Sequence, residues 1–377
     1  MCGTIGATRR WRSFIPTILY SALYFTITLR LFLILVKKPV IMKDVAVAAG
    51  VSLMTVSYAL RHHSSIPEST RRRIFKIAED LGYTKSPLVS ALMAHLRSQR
   101  EVKNTPLIAY VCGYSDHRTM LANSFRRAYF EGAVARAESE GYRLELFFIN
   151  DYSSRGGRRL SEVMRYRNVQ GVIMGISPLN TAPVQLEWSA FASCVMGYSK
   201  NYKDLHNIDA NSAQMLSLTL QRLKEKGYRR IGSLCGAFED RRVEGVIKAA
   251  MAGYNHNRRV SERVPFEILP PHRWNAKYIS HWTKQQALDS LIIQSHSPFH
   301  FLVGAGRKIP KELAVVTLER STETILSGID QRPRQVGAAA VDLIIYQLNQ
   351  NLRGIPANRR TLLLDGAWID GSTAPGC

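Results

Sequence analysis

The chain has 377 residues, 46% hydrophobic and 21% charged, which is enough to build two or three domains of ordinary size. Its 51 Lys and Arg outnumber 29 Asp and Glu, and the net charge of +22 favours polyanions or anionic membranes as partners. The five cysteines lie far apart without a C-x-x-C pair, which argues against a disulfide framework and favours a reducing, cytosolic setting.

The first segment, residues 1–36, contains the apolar stretch "FIPTILYSALYFTITLRLFLILV". A membrane-spanning helix needs about 20 such residues, so this stretch is long enough to be a membrane tether or the signal anchor of an exported binding protein. We prefer a third interpretation, in which residues 1–36 are translated from a start codon assigned too far upstream. The reason is that the organised pattern begins abruptly at "KKPVIMKDVA".

Two short helices are predicted next. The apolar spacing in "MKDVAVAAG" predicts one helix, and Gly50 can end it because glycine readily adopts a positive φ. Ser52 is a favourable N-cap for a second helix that begins at residue 53. Val56, Ala59 and Leu60 form the inward stripe of that second helix. Two helices joined by a three-residue turn with glycine are typical of a helix-turn-helix.

A third helix completes this unit, for which we predict the boundaries 37–83. Pro67 and Glu68 suit a first helical turn. The predicted buried face repeats at helical spacing and consists of Ile74, Ile77, Ala78 and Leu81. Residues 37–100 carry 11 Lys or Arg and 4 Asp or Glu, and a small basic three-helix unit is suited to placing one helix in a DNA major groove.

The stretch "KDVAVAAGVSLMTVSYALRHHSSIPESTRRRIFKIAEDLGY" resembles the amino-terminal domain of the lac-repressor (LacI/GalR) family of transcriptional regulators. The resemblance implies that Ser52, Thr55 and Ser57 bond phosphates or bases. It also implies that Leu53, Met54 and Tyr58 face base edges. These last residue types differ from those that the family often carries, so the preferred DNA sequence does not transfer. Apolar side chains can contact thymine methyl groups, and the alternative is that residues 53 and 54 only pack within the helix.

A hinge helix or linker is predicted over residues 84–103. "KSPLVSALMAHLRSQR" places Leu88, Leu92 and Leu96 on one helix face. By the family resemblance this helix forms on DNA when two subunits pair, and Leu92 wedges into the minor groove. Such wedges kink the duplex, and the contacts that a bent site permits offset the unstacking. The alternatives are a plain linker helix or a dimer contact through the three leucines.

Residues 104–377 alternate apolar strands with amphipathic helices, which predicts doubly wound parallel sheets in two lobes. Strands are predicted at 107–113, 143–149, 170–176, 193–198, 229–235, 290–294 and 313–318. Helices are predicted at 123–140, 158–168, 211–226, 241–253, 275–287 and 334–352. Cys112, Cys194 and Cys235 lie in or at the ends of predicted strands, where we expect reduced thiols that fill the core.

"FRRAYFEGAVARAESEGY" and "IPKELAVVTLERS" are similar, more loosely, to the family's periplasmic-binding-protein-like effector domain. By that resemblance the effector-binding residues are Arg242, Trp274, Gln294, Glu319 and Gln331. For Arg242 the alternative is a surface salt bridge, and for Trp274 it is packing. Two features depart from the family: "QSHS" replaces an Asn-Asp pair, and Gly197-Tyr198 replaces an acidic residue. A sugar ligand is therefore only an expectation from the family.

The sequence thus predicts a cytoplasmic, dimeric transcriptional regulator, in most family members a repressor. Its partners would be an operator in double-stranded DNA and a small-molecule effector, with a carbohydrate as the family expectation, and it would need no metal or cofactor. A membrane-anchored or exported solute-binding protein is the alternative, but it leaves residues 43–83 unexplained. An enzyme lacks support, because there is no GxGxxG after a strand, GxxxxGK[ST], G-x-S-x-G or HExxH motif.

Overall fold

The computed structural model describes residues 40–60, 65–83, 105–152, 156–178, 180–197, 200–243, 245–256, 258–321 and 323–376. The chain divides into two compact units, residues 1–86 and 87–377. The predicted extension over residues 1–36 and the predicted hinge over 84–103, with Leu92, lie outside the described residues.

Three helices form the described part of the first unit: α1 (Met42–Ala49), α2 (Leu53–Leu60) and α3 (Glu68–Asp80). Gly50 ends α1 in the left-handed conformation with φ 63°. The N–H of Val51 then donates to the carbonyl of Ala46 at 3.1 Å. The axes of α1 and α2 turn through 105°, within the usual range for a helix-turn-helix. This turn confirms the predicted glycine stop.

The three helices enclose a small core. Its buried members are Val45, Ala46, Ala49, Val56, Ala59, Leu60, Ile74 and Ala78. Ile77 is half-buried against this core. The prediction that Leu81 completes the buried face was wrong, because α3 ends at Asp80 and Leu81 is exposed.

No single helix in the described ranges is long and apolar enough to cross a membrane. The bent pair of α1 and α2 passes such a test by length and composition only.

The second unit contains two six-stranded sheets, one in each lobe. The first-lobe strands are β1 (Leu107–Cys112), β2 (Arg143–Phe148), β3 (Val169–Met174), β4 (Ala192–Met196), β5 (His206–Ala210) and β11 (Thr361–Leu364). Their order is β11-β5-β4-β3-β1-β2, and all of these pairs are parallel.

The second-lobe strands are β6 (Ile231–Gly236), β7 (Phe266–Leu269), β8 (Ser290–Ile293), β9 (Ala314–Thr317), β10 (Ser327–Asp330) and β12 (Ala367–Ile369). Their order is β12-β10-β9-β8-β6-β7. The edge pair β10–β12 is antiparallel and the other pairs are parallel. Two parallel-dominated sheets confirm the predicted doubly wound, two-lobed architecture.

Helices connect these strands. They are α4 (His117–Leu121), α5 (Ser124–Ser139), α6 (Gly156–Tyr166), α7 (Ser212–Glu225), α8 (Ala237–Arg242), α9 (Val246–His256), α10 (Ala276–Gln285), α11 (Ser297–Gly304) and α12 (Pro333–Asn349). The sequence predicted one helix over 241–253, but the chain forms α8 and α9 with a break at Gly245, which has φ 75°. Strands β5, β7, β10, β11 and β12 were not predicted.

The chain passes between the lobes three times, after β5, after β10 and after β11. Helix α12 returns to the first lobe and packs against α5. Gly132 and Gly337 let these two helices approach, since a Cβ added at either would lie 2.0 Å from a backbone oxygen of the other helix. Because the chain crosses repeatedly, each lobe is built from segments that are distant in sequence.

Three cysteines lie within the two lobes as free, buried thiols, as predicted: Cys112, Cys194 and Cys235. Burial is the main reason that the pKa of Cys112 rises to about 11 and that of Cys235 to about 12. Burial also raises the pKa of Cys194. The thiols are therefore protonated and inert near neutral pH, and they serve as small apolar core residues.

Candidate functional site

The start of helix α2 is fixed by its own first residues. The side-chain oxygen of Ser52 accepts a hydrogen bond from the N–H of Thr55 at 3.1 Å, and the two hydroxyl oxygens lie 2.8 Å apart. This is the N-cap arrangement that the sequence predicted. Because the cap sets the direction of the first turn, it also sets where Leu53 and Met54 point.

Of the seven residues predicted to contact DNA, five lie on α2 and Ser52 caps it, while Leu92 lies outside the described residues. Leu53 is 52% exposed and Met54 is 65% exposed. The first turn is thus apolar and open to solvent, while Val56 on the opposite face is fully buried. The remaining predicted residues, Thr55, Ser57 and Tyr58, are half-buried, and Ser52 is exposed. Residues 53 and 54 are therefore exposed and do not pack inside the unit, which was the alternative interpretation.

Basic side chains lie near the start of α3. Glu68 pairs with Arg71 at 2.9 Å and with Arg72 at 3.1 Å, while Arg72 stays 81% exposed. Arg71 also donates to the carbonyl of Ile66 at 3.0 Å, and Arg73 donates to that of Ala49 at 3.4 Å. Arg73 therefore ties α3 to the end of α1 and Arg71 fixes the loop before α3, while Arg72 is largely exposed to solvent.

A cavity of about 340 Å³ lies between the two lobes of the second unit. Its walls are formed near the carboxyl ends of strands in both sheets. Ligands usually bind at this end of open parallel sheets. The first lobe contributes Tyr114, Asn123, Ser124, Phe125, Arg126, Tyr129, Ile176, Gly197, Asp209 and Ala210. The second lobe contributes Ser212, Glu239, Val243, Gln294, Ser295, His296, Glu319, Ser321 and Gln331.

Three of the five predicted effector residues line this cavity. The amide nitrogen of Gln294 donates to the Glu319 carboxylate at 3.5 Å. Gln331 donates from its amide nitrogen to the carbonyl of Leu318 at 2.8 Å. Gln294 and Gln331 are each only 6% exposed. The structure therefore places Gln294, Glu319 and Gln331 together on one wall.

The "QSHS" departure also lies in this wall. The ring of His296 donates from Nε2 to the backbone carbonyl of Glu319 at 3.0 Å, since a carbonyl can only accept. Burial, and more weakly His300, lower the pKa of His296, so the imidazole is neutral near pH 7. Its other ring nitrogen, Nδ1, is then an acceptor. Helix α11 begins directly after it and has eight residues.

The structure does not show the other two predicted effector residues, Trp274 and Arg242, in the cavity. Trp274 does not line it, and its ring packs partly buried against the second-lobe core. This is the packing alternative for Trp274. The side chain of Arg242 and the residue Tyr198 lie outside the described part of the chain, although Glu239 and Val243, which flank Arg242, line the cavity.

Arg126 is a cationic residue in the described part of the cavity wall. The sequence did not predict it as a site residue. Its guanidinium donates to the carbonyls of Thr119 at 2.9 Å and Met120 at 3.0 Å. It also stacks 4.5 Å from the ring centre of Tyr114. These partners hold Arg126 in place and satisfy part of its donor capacity. Arg126 lies on α5, Asp209 on β5 and Glu239 on α8, and the sequence analysis singled out none of the three as a site residue.

The comparison with protein families matches residues 41–86 to the family described as "Bacterial regulatory proteins, lacI family". These residues include α1, α2 and α3 with their glycine turn. Along most of the chain, the ribose operon repressor of Escherichia coli K12 is 23% identical over 332 residues, covering 82% of this chain and 93% of that protein.

By the family match, residues 41–86 are a domain of the lacI family of bacterial regulatory proteins.

Further relatives match along most of the chain. The HTH-type transcriptional repressor PurR of Aliivibrio salmonicida is 24% identical over 81% of this chain and 91% of its own length. Among solved structures, the transcriptional regulator CelR–cellobiose complex matches with a TM-score of 0.50 at 16% identity, covering 89% of this chain and 99% of that one. A transcription-regulator-like protein from Staphylococcus haemolyticus matches with a TM-score of 0.52 at 16% identity, covering 72% and 100%. The structural matches establish the fold.

Proposed function

We propose that this lacI-family protein is a DNA-binding transcriptional repressor whose operator affinity is controlled by a small molecule in the cleft. The observation that carries the proposal is the outer face of α2. Its first turn presents Leu53 and Met54 to solvent beside the capped Ser52–Thr55 pair, while Val56 anchors the helix in the core. A stable helix with an exposed, chemically distinctive first turn is suited to reading base edges in a major groove.

The proposed contacts on DNA divide into two kinds. Ser52, Thr55 and Ser57 have hydroxyl groups that can bond phosphates, which fixes the orientation of the helix. Leu53, Met54 and Tyr58 would contact base edges, where apolar side chains favour the thymine methyl group. Leu92 would act as a minor-groove wedge in a second step that needs two subunits. The protein would therefore act in the cytoplasm as a homodimer on a two-fold symmetric operator.

The small molecule that controls operator affinity would bind in the cleft. Gln294, Glu319 and Gln331 converge there from the ends of β8, β9 and β10, opposite Arg126 and Asp209 of the first lobe. A ligand that contacts both walls binds one relative arrangement of the lobes better than another, and only such differential binding can shift DNA affinity. Arg242 and Trp274 remain predicted contacts of the ligand. Trp274 would reach the ligand only if the lobes rearrange around it.

Fluorescence anisotropy tests this proposal with two labelled duplexes of equal length and composition, one an operator recovered by selection and the other scrambled. We expect the operator to be preferred by at least about 1,000-fold. Its affinity should also fall steeply between about 50 and 200 mM salt, because several phosphates are neutralised. Equal affinity for the two duplexes, or binding that does not change with salt, would contradict the proposed function.

A further inference from the structure

A second concave surface lies in the second lobe, at the end of the sheet opposite the cleft. Its walls include residues 307–311, which precede β9, Ile325, which precedes β10, and residues 372–373, which follow β12. Since β9 and β10 are parallel and the cleft borders their carboxyl ends, this groove borders their amino ends. It encloses about 640 Å³, a size within the range that small ligands occupy.

Helix α11 supplies an apolar wall of the groove. Phe299 and Val303 are four residues apart, so both lie on one face of this helix. Val303 is 49% exposed, and Ile325 of the segment before β10 is 60% exposed. Ile309 also lines the groove and is half-buried. Large apolar side chains that are open to solvent within one concavity indicate a surface that a ligand or partner covers.

Hydrogen bonds fix the side of the groove at the strand ends. The N–H of Ser372 donates to the carbonyl of Ile325 at 2.9 Å. The hydroxyl of Thr373 donates to the carbonyl of Val315 at 2.6 Å and accepts from the N–H of Ser327 at 2.9 Å. These bonds tie the segment after β12 to β9 and β10, so the groove exists before any ligand binds.

The charged residues that line the groove are all basic. They are Arg307, Lys308 and Lys311, and no carboxylate occurs among the described lining residues. The guanidinium of Arg307 is 12% exposed and pairs with Glu312, with Nη1 and Oε2 3.3 Å apart. Lys308 and Lys311 are exposed and form no ion pair within the described ranges of the chain. Three cations against the one carboxylate of Glu312 leave two positive charges at the groove.

We propose that this groove binds a small organic anion, a carboxylate on an apolar, ring-sized body, at a site separate from the cleft. The apolar body would cover Phe299, Val303 and Ile325 and remove their exposed surface from water. The carboxylate would lie beside Lys308 and Lys311, whose ammonium groups can donate charge-assisted hydrogen bonds to it. A cationic ligand of the same shape would be repelled, and a neutral one would gain only the apolar contact. Such a site would exist whether or not α2 reads DNA.

Matched probes separate charge from shape. One set is 4-phenylbutyrate, 4-phenylbutanol and 4-phenylbutylamine, and the other is 2-naphthoate, 2-naphthalenemethanol and 2-naphthylmethylamine. Each set keeps one apolar body and changes the head group from an anion to a neutral alcohol to a cation. Isothermal titration calorimetry of the full chain at low salt measures the affinity for each probe. We expect the acid of at least one set to bind most tightly in its set, and its affinity to fall as added salt screens the lysines.

Two outcomes would overturn this assignment. One is an alcohol or amine that binds as tightly as the acid of its set, which would show that the groove does not select anions. The other is no binding by either acid, which is the result expected if a second copy of the chain, or another segment of it, already covers the groove.

A charge-neutralising double variant locates the carboxylate. Lys308→Gln combined with Lys311→Gln removes two exposed ammonium groups, and we expect the affinity for the effective acid to fall about 10-fold, as for the loss of two exposed charge contacts. Lys248→Gln is the matched control, because Lys248 is exposed on α9, which packs against the other core of this lobe. Its affinity should be unchanged. Equal losses in the two proteins, or no loss in the double variant, would contradict the position of the carboxylate.

Ile325→Ser tests the apolar wall. Because Ile325 is 60% exposed, the variant should fold with nearly the Tm of the wild type in the absence of a probe. We expect the effective acid and the alcohol of its set to lose affinity by similar factors, since both keep the same apolar body. An unchanged affinity for the acid would show that its apolar body lies elsewhere.

Discussion

The hydroxyl of Ser52 and the backbone of Thr55 together define where helix α2 starts. The N–H of Thr55 donates to the Ser52 oxygen at 3.1 Å, and the two side-chain oxygens lie 2.8 Å apart. This one relationship serves two purposes, because the cap that stabilises α2 also presents hydroxyl groups on the proposed DNA-facing side. Substitutions at residue 52 can separate the two.

Ser52→Ala removes the cap and should lower the free energy of unfolding of the head by about 1 kcal/mol. Ser52→Asp keeps an N-capping oxygen and favours the positive end of the helix dipole, so the head should stay as stable as the wild type. The added negative charge should nonetheless weaken DNA binding, because it would face phosphates. Hydrogen exchange of residues 40–83 measures stability and anisotropy measures DNA affinity. Tight DNA binding by Ser52→Asp would contradict this orientation of α2.

Leu53 and Met54 should affect which bases are preferred and not whether the head folds. Their side chains are exposed, so Met54→Ala should leave the stability of the head within about 0.5 kcal/mol of the wild type. Val56→Ala is the matched control, since Val56 is fully buried, and should cost about 2 kcal/mol. Selection of bound duplexes with each variant measures which bases that variant prefers. A motif that Met54→Ala leaves unchanged would show that this residue does not read bases.

Helices α5 and α12 should tolerate no side chain at Gly337. A Cβ there would lie 2.0 Å from the carbonyl oxygen of Tyr129, so Gly337→Ala must push the two helices apart. We expect a loss of about 2 kcal/mol or more, comparable to overpacking a core. Gly253→Ala is the control, because nothing lies within 4 Å of its added Cβ in helix α9. That variant should be neutral or stabilised by up to about 1 kcal/mol. Thermal unfolding of both variants checks the contrast, and equal effects would contradict it.

We expect the two-lobed unit to lose stability at low pH, and His206 is one cause of this loss. This residue is buried in β5, and its Nδ1 accepts a hydrogen bond from the N–H of Arg360 at 3.0 Å, which requires the neutral ring. Burial, and secondarily Arg360, lower the pKa of His206. Below the unfolded pKa of about 6.5, the unfolded chain binds a proton that the folded chain resists, so stability falls as pH falls.

Urea unfolding at about pH 7 and about pH 5.5 measures this loss. His206→Asn keeps an acceptor for the Arg360 N–H but does not titrate in this range. Its stability should therefore depend less on pH than that of the wild type, with the remaining slope due in part to His296, whose pKa is also lowered. If the two proteins lose equal stability on acidification, His206 does not contribute.

The sequence predicted the helical head well because its signals are local. Gly50, Ser52 and the Val56–Leu60 stripe act within one or two turns, and the structure has each of them as expected. In contrast, β5 was missed although it lies inside the first sheet, between β11 and β4. His206 and Asn207 are polar and buried there, and a partner of His206 is Arg360, 154 residues further along the chain. Apolar periodicity does not reveal such a strand.

The cleft was predictable only in part for the same reason. Gln294, Glu319 and Gln331 follow strand ends in the second lobe, so strand–helix alternation and family resemblance together locate them. Arg126 and Asp209 reach the cavity from the other lobe. Their position depends on where the chain crosses between the sheets, which no local pattern in the sequence encodes.

Selection of duplexes from a random library with the full-length protein tests the central claim, sequence-specific DNA recognition by α2, most directly. We predict enrichment of a two-fold symmetric motif, since two heads of a dimer would read two half-sites, and a different half-site when Met54 is replaced by Ala. If repeated rounds enrich no motif, although hydrogen exchange shows residues 40–83 to be folded, the account of this protein as a DNA-binding regulator is wrong.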